Sequence, residues 1–332
     1  MTNQLPLKPI EDDLVDKLSR TLGQRADVEK LVDEAVDNDL RNVFFVGAGG
    51  SLIAAYAAHY LLERESLIPV FKLQSDELNT AQPKRLGEGS LVFLASHTGT
   101  TKETVAAAHY ARRTGATVAA VTKENSPLAE AASVAFAGQS DVFYQLAAYT
   151  LMRRVGVQRD WDAVDALLQA LPKALRSTAE EGEEHAAEIA NALQDEPVTY
   201  VLGSGPSYAW AYGFAMCYLQ EMQWKHAAGF NSGEFFQGAF EVVNDAAVIN
   251  ILGEDPSRPM AERAKRFLDR YAPGRTHHLD TAELSLPGIP QELRGDVSPL
   301  AVAILMGRLA KHYESVRGHD LEQRRYMFQV EY

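Results

Sequence analysis

One cysteine, Cys217, stands in 332 residues. A single thiol supports neither a disulfide framework nor a thiolate zinc site, and its apolar helical surroundings predict a buried packing residue. Basic residues (32) are outnumbered by acidic ones (45), the net charge is −13, and no basic run occurs. That argues against DNA or RNA as a partner. A small anion remains open, because backbone amides and hydroxyls can hold a phosphate without net positive charge. No apolar run approaches the ~20 residues of a membrane span. Residues 1–9 are polar and are followed by Asp12, Asp13 and Asp16, unlike a signal peptide. The expectation is a cytoplasmic protein with no membrane contact. With 46% hydrophobic and 23% charged residues, the chain is ordinary for a globular protein, and it is long enough for two cores.

What is present is a duplication. Asn42-Val43-Phe44-Phe45-Val46-Gly47-Ala48-Gly49-Gly50-Ser51 aligns with Val198-Thr199-Tyr200-Val201-Leu202-Gly203-Ser204-Gly205-Pro206-Ser207. Beyond the glycines and serines, Ala55 meets Ala211 and Tyr56 meets Tyr212. Each copy reads as a buried strand, a glycine turn and the start of an apolar helix, where free backbone N–H groups favour an anion.

Helical periodicity over 10–40 (Leu14, Leu18, Leu22, Val28, Leu31, Val32, Val36) predicts an amphipathic lead-in, residues 1–40. Strands are predicted at 43–46, 69–73, 91–95, 117–122 and 133–137, and helices near 51–64, 75–82, 101–114 and 126–132. Ser126-Pro127 supplies an N-cap serine and a proline at the first helical position. Residues 140–195 read as mostly helical. A second series predicts strands at 198–202, 247–252 and 275–280 and helices near 207–224, 257–271 and 298–316. Short apolar strands alternating with helices mean parallel sheets covered on both faces. The predicted class is α/β, two tandem flavodoxin-like three-layer domains. Their expected limits are 41–178 and 196–318, with a helical linker at 179–195 and a tail at 319–332 that fits no core element.

After the strand at 91–95 comes Ser96-His97-Thr98-Gly99-Thr100-Thr101 and then a helix. Four hydroxyls and a glycine at a strand-to-helix turn suit the terminal oxygens of a phosphate, and the helix dipole adds about 0.3–1 kcal/mol. The bland alternative is a capping cluster. Gly47-x-Gly49 does not complete a dinucleotide fingerprint: Leu52 stands where a third glycine belongs, and Asp76 comes late for the ribose acid. No Gly-Lys-Ser/Thr follows to make a Walker A loop. His277 and His278 are adjacent in a strand, so they point to opposite faces and cannot share a metal; no metal or organic cofactor is expected.

In order and spacing, the strand–Gly-x-Gly-x-Ser, Ser-x-Thr-Gly-x-Thr and Ser-Pro-Leu-Ala motifs resemble the SIS (sugar isomerase) domain, which binds phosphosugars, here twice in tandem. Leu219-Gln220-Glu221-Met222-Gln223-Trp224, Ser232-Gly233-Glu234-Phe235-Phe236 and the ending Arg324-Arg325-Tyr326 to Val330-Glu331-Tyr332 are similar to the fructosamine-phosphate deglycases. More distantly the chain resembles the isomerase half of glucosamine-6-phosphate synthase. The resemblance implies a sugar 6-phosphate held by Gly49, Gly50, Ser51, Ser96, His97, Thr98 and Thr101. It implies Glu221 as the acid/base that moves a proton between C1 and C2. It also implies a homodimer with sites at the subunit interface. The family histidine that assists ring opening falls on Gln237, and the synthase's C-terminal lysine falls on Tyr326. His226, Glu234 and Tyr326 are further candidates for substrate contact. The functions left open are a ketosamine 6-phosphate deglycase, an aldose–ketose phosphate isomerase, or a phosphosugar sensor without catalysis.

Overall fold

The computed structural model describes residues 4–331; Met1 to Asn3, at the head of the predicted lead-in, and Tyr332, the last residue of the predicted tail, lie outside the described residues. The chain divides into two compact units, residues 13–172 and residues 1–12 with 173–332.

In the unit spanning 13–172, helices α1 (Leu14–Leu22) and α2 (Arg25–Asp37) precede β1 (Asn42–Gly47). There follow α3 (Gly50–Ile53), α4 (Tyr56–Glu65), β2 (Val70–Gln74), α5 (Ser75–Ala81), β3 (Ser90–Ser96), α6 (Lys102–Arg113), β4 (Thr117–Thr122), α7 (Pro127–Ala131), β5 (Val134–Phe136) and α8 (Ser140–Arg154). Helix α9 (Trp161–Glu181) crosses the boundary. The strands pair in parallel in the order β2-β1-β3-β4-β5, the flavodoxin-like order. Side-chain alternation along a strand explains why both faces are covered. Phe44 and Val46 enter one core with Leu78, Val92 and Ala107. Phe45 and Phe93 point the other way, where the Tyr144 ring on α8 meets them edge-on at 5.3 and 6.2 Å. Full burial of each such ring contributes about 1.5–3 kcal/mol. Ser126 caps α7 through an Ala129 N–H to Oγ bond of 3.3 Å, with Pro127 at the first position, as the sequence predicts.

The other unit contains α10 (Glu183–Leu193), β6 (Val198–Gly203), α11 (Ser207–Gly213), a π-helical segment (Phe214–Met222), β7 (His226–Asn231), 3₁₀ turns at Glu234–Gln237 and Ala239–Asp245, β8 (Ala247–Leu252), α12 (Arg258–Tyr271), β9 (Thr276–Asp280), 3₁₀ turns at Thr281–Glu283 and Gln291–Leu293, and α13 (Arg294–Arg317). Its parallel sheet runs β7-β6-β8-β9. Val201, Ile249 and Ile251 face a core built with α10, α11, Phe214, Leu219 and α13. Leu202 and Val248 face the opposite core with Phe235 and Leu268. The α/β class with two parallel sheets therefore stands.

Several local expectations are corrected. Strand β7 was not predicted: Ala227, Ala228 and Gly229 have little β preference. Gly229 is needed there because a Cβ would lie 2.5 Å from Tyr212 Cα on α11. The helix predicted at 207–224 converts after Gly213 into the π-helical segment and ends at Met222. Helix α13 starts at Arg294 rather than near 298, where the buried Arg294 guanidinium pairs with both oxygens of Glu254 at 2.7 and 2.9 Å. Cys217 lies in the π-helical segment partly exposed rather than buried. His278 binds Asn250 (3.3 Å) and Asp269 (2.7 Å), while its neighbour His277 takes the other face of β9.

Candidate functional site

Strands β1 and β3 are neighbours whose connections leave in opposite directions along the sheet, so the 47–51 and 96–101 turns both sit at the topological switch point. The crevice at that point, outside the carboxyl ends of the strands, is where open α/β sheets bind ligands. Two turns picked out by composition are thus brought to one edge by topology.

The 96–101 turn is organised from within. Ser96 is 3% exposed; its Oγ accepts the Gly99 N–H at 3.1 Å and lies 2.9 Å from Thr101 Oγ1. Thr98 Oγ1 and Thr100 Oγ1 are 2.8 Å apart. Thr122 Oγ1 donates to the Ser96 carbonyl at 2.8 Å. Thr101 precedes α6 but makes no side-chain cap bond. The capping explanation of the hydroxyl cluster therefore fails for this residue, and the first turn of a 12-residue helix faces the loop without it. His97 and Thr98 are exposed, Thr101 partly so. In the 47–51 turn Gly49 has φ +53°, and a Cβ on Gly49 or Gly50 would meet nothing within 4 Å; Ser51 is partly exposed.

Gly99 adopts φ +71°, and a Cβ there would stand 2.1 Å from Ser126 Oγ and 2.6 Å from Thr122 Oγ1. Gly99→Ala is expected to lose about 2–4 kcal/mol through left-handed strain and overpacking. It should also weaken sugar phosphate binding. Thermal melting and calorimetry check both; an unchanged melting temperature with unchanged affinity contradicts this account of the loop.

The duplicated turn in the second unit keeps the backbone and loses the opening. Gly205 has φ +50°, like Gly49, but a Cβ on it would lie 2.6 Å from Asp255 Oδ1 and 2.4 Å from Ser257 Oγ. Ser207 is fully buried, unlike its counterpart Ser51. The expectation that both turns are ready for an anion is corrected: a carboxylate already stands against the second one.

Glu221 lies near the end of the π-helical segment, a geometry that recurs at functional sites. The segment is stopped by Trp224, a non-glycine residue at φ +51°. The Lys225 N–H reaches back to the Leu219 carbonyl (2.8 Å), and Gln220 Nε2 donates to the Ala227 carbonyl of β7 (2.6 Å). The Glu221 side chain is 24% exposed, and Arg324 Nη2 sits 2.9 Å from its Oε1. Burial pushes the carboxyl above the usual carboxylate range, against the opposing pull of the Arg324 charge and hydrogen bond. A carboxyl shifted in this direction holds a proton it has taken more readily and can give it back, as an acid/base must. Arg324 is the residue that sequence reasoning left without a role; it lies in a tail with no periodicity to read.

Gln237 ends the first 3₁₀ turn, exposed, with Glu234 exposed one turn earlier. The neighbouring Phe235 and Phe236 belong to the core on the opposite face of the sheet from the one that holds Leu219 and Met222. The sheet therefore stands between the segments bearing Glu221 and Gln237 of one chain. His226 opens β7 and is exposed, and Tyr326 is 65% exposed in the tail. A separate cavity of about 190 Å³ among α2, α8 and α9 includes none of these residues, and its Arg25 and Arg153 are both paired to Asp165, at 2.8 and 2.9 Å.

Comparison with known proteins gives the same direction. The SIS domain matches residues 38–151. Fructosamine deglycase FrlB of Bacillus subtilis is 34% identical, across 92% of this chain and 97% of its own. Fructoselysine 6-phosphate deglycase of Escherichia coli is 28% identical, across 96% and 94%. A crystal structure of a candidate phosphosugar isomerase from Bacillus subtilis superposes with a TM-score of 0.88 at 31% identity, covering 95% of this chain and 100% of that one. With the identity to the first relative running from end to end, the chain belongs to the SIS-domain family of the fructosamine deglycases.

Proposed function

We propose that this chain cleaves a 6-phosphorylated ketosamine to a hexose 6-phosphate and an amine or amino acid. The observation that carries the reading is the end-to-end similarity to two deglycases, joined to a half-buried carboxylate at Glu221 with a raised pKa. In the proposed reaction the 6-phosphate rests on the Ser51, Ser96, His97, Thr98 and Thr101 side chains and on the backbone of Gly49 and Gly50. The Glu221 carboxylate takes one C1 proton of the open-chain ketosamine, leaving an enaminolate. Returning that proton to C2, while the amine N–H proton passes to the C2 oxygen, gives a C1 imine and a C2 hydroxyl. Water adds at C1, the C–N bond breaks, and the amine leaves with the proton. No oxidant or metal is needed for this balance.

Gln237 can orient the ring oxygen or the O5 hydroxyl but cannot carry a proton near neutral pH; His97 or His226 supplies that proton, or substrate enters already open. Because the sheet lies between the Glu221 and Gln237 segments of one chain, a reaction using both draws Gln237 from a second copy. This favours a homodimer whose site is shared, with Glu234 beside Gln237. Tyr326 stands beside the tail arginines as a substrate contact. The protein works in the cytoplasm on this reading.

Gln237→His is expected to preserve or raise turnover of a cyclic ketosamine phosphate, and Gln237→Ala to lower it only modestly, measured as hexose 6-phosphate release. One feature favours a second reading, a non-catalytic sensor: the glutamine itself. That reading takes over if neither the wild type nor Gln237→His turns over any ketosamine phosphate while both still bind hexose 6-phosphate. A simple aldose–ketose isomerase would instead interconvert free sugar phosphates and leave the ketosamine intact.

A further inference from the structure

The chain beyond α13 is anchored before it reaches Glu221. Leu321 is 4% exposed and joins the core containing Phe214 and Tyr313, and its N–H donates to Glu314 Oε1 at 3.0 Å. Asp320 closes a tight turn by accepting from the Glu322 and Gln323 N–H groups. Arg324 leaves this turn with its guanidinium engaged. Nη1 donates to the Leu321 and Gln323 carbonyls, Nη2 meets Glu221, and Nε is buried with no acceptor among the described residues. The Arg324 side chain is 12% exposed.

The turn that follows Glu221 is tied to the same tail. Arg325 stacks over the Trp224 ring at 4.3 Å, His319 meets that ring edge-on at 4.5 Å, and Gln223 Nε2 donates to the His319 carbonyl at 2.8 Å. The carboxylate is therefore gripped by a guanidinium whose own position is fixed on both sides. With Nη1 and Nη2 engaged and Nε sealed off, Arg324 is poorly placed to bind substrate and well placed to act through Glu221.

We propose that Arg324 is a positioning residue for Glu221, fixing the orientation and the negative charge of the carboxylate before substrate arrives. The proposal rests on the reading of Glu221 as the proton shuttle. A base must be ionised to take the C1 proton, and burial opposes that charge. The groups facing it from each packed element decide the balance. From the tail come Arg324, which favours the charge, and Glu322, which opposes it. From α13 comes Arg317, directed to the Gln223 carbonyl and Oε1 at 2.6 and 3.0 Å, with His319 just beyond its end. His226 stands at the start of β7, and Lys225 is turned away to the Gln194 and Glu196 carbonyls. Arg324 is the cation in direct contact.

The test is a pair of titrations on the full chain. Carbon-13 NMR follows the Glu221 carboxyl without substrate, assigned by its loss in Glu221→Gln, and kcat/KM is followed against pH with a 6-phosphofructosyl amino acid. In Arg324→Gln both the carboxyl titration and the acid limb should move up by about one pH unit, tenfold in the ionised fraction below it. Activity should recover toward alkaline pH, and Arg324→Lys should fall between. An unmoved titration and acid limb in Arg324→Gln, or a change confined to KM, overturns the proposal. Absence of turnover in the wild type strikes the deglycase reading alone; the carboxyl titration then still decides on Arg324, a shift supporting it and no shift refuting it.

Discussion

Glu221→Gln lowers deglycation by about 10²–10⁴-fold, the usual contribution of a positioned acid/base, while hexose 6-phosphate still binds. Glutamine keeps the size of the side chain and one oxygen for Arg324, so the turn before β7 should survive. What it removes is the ability to take a proton from C1 and return it to C2. The separation of kcat from binding is the signature: an interaction made only in the transition state lowers kcat and kcat/KM together. Wild-type turnover in this variant would refute the proton shuttle. The pH profile carries the same prediction in another form. Because burial raises the Glu221 pKa, the acid limb of kcat/KM should lie above the ordinary carboxylate range, with activity rising as the group ionises.

The second large effect is expected at the phosphate loop. Ser96→Ala together with Thr98→Ala should weaken hexose 6-phosphate binding by at least about 1.5–3 kcal/mol, the contribution of one hydrogen bond from Thr98 to a charged group, with a further loss from the loop that Ser96 shapes. The two residues contribute differently. Thr98 is exposed and its hydroxyl can reach a ligand. Ser96 is buried, and its Oγ holds the Gly99 N–H and the Thr101 hydroxyl. Its loss frees the backbone that shapes the loop. Calorimetric affinity equal to wild type in the double variant would remove this loop from the binding site.

Much of the fold was legible because it is written in local pattern. In β1, Phe44 and Phe45 serve cores on opposite faces, as period-2 alternation requires. Gly49 and Gly205 share a left-handed backbone because the duplicated turns are sharp. Strand β7 escaped because its residues are small and its pairing comes from β6. The π-helical segment escaped because one inserted residue per turn is a packing outcome with no composition of its own. The hydroxyl loop was visible as a cluster of residues. Its internal bonding was not, nor was the way Asp255 and Ser257 crowd the second turn. The grip of Arg324 on Glu221 joins residues far apart in sequence and could be seen only in three dimensions.

The most direct measurement of the central claim is a product balance. The purified protein is incubated with a 6-phosphofructosyl amino acid, with phosphorus-31 NMR following the sugar phosphates and amine derivatisation following the amino acid. The account predicts loss of the ketosamine phosphate matched by equimolar hexose 6-phosphate and free amino acid, with Glu221→Gln at least about a hundredfold slower. A ketosamine phosphate that persists unchanged across several amino-acid partners, while hexose 6-phosphate binds at the same site, would contradict it.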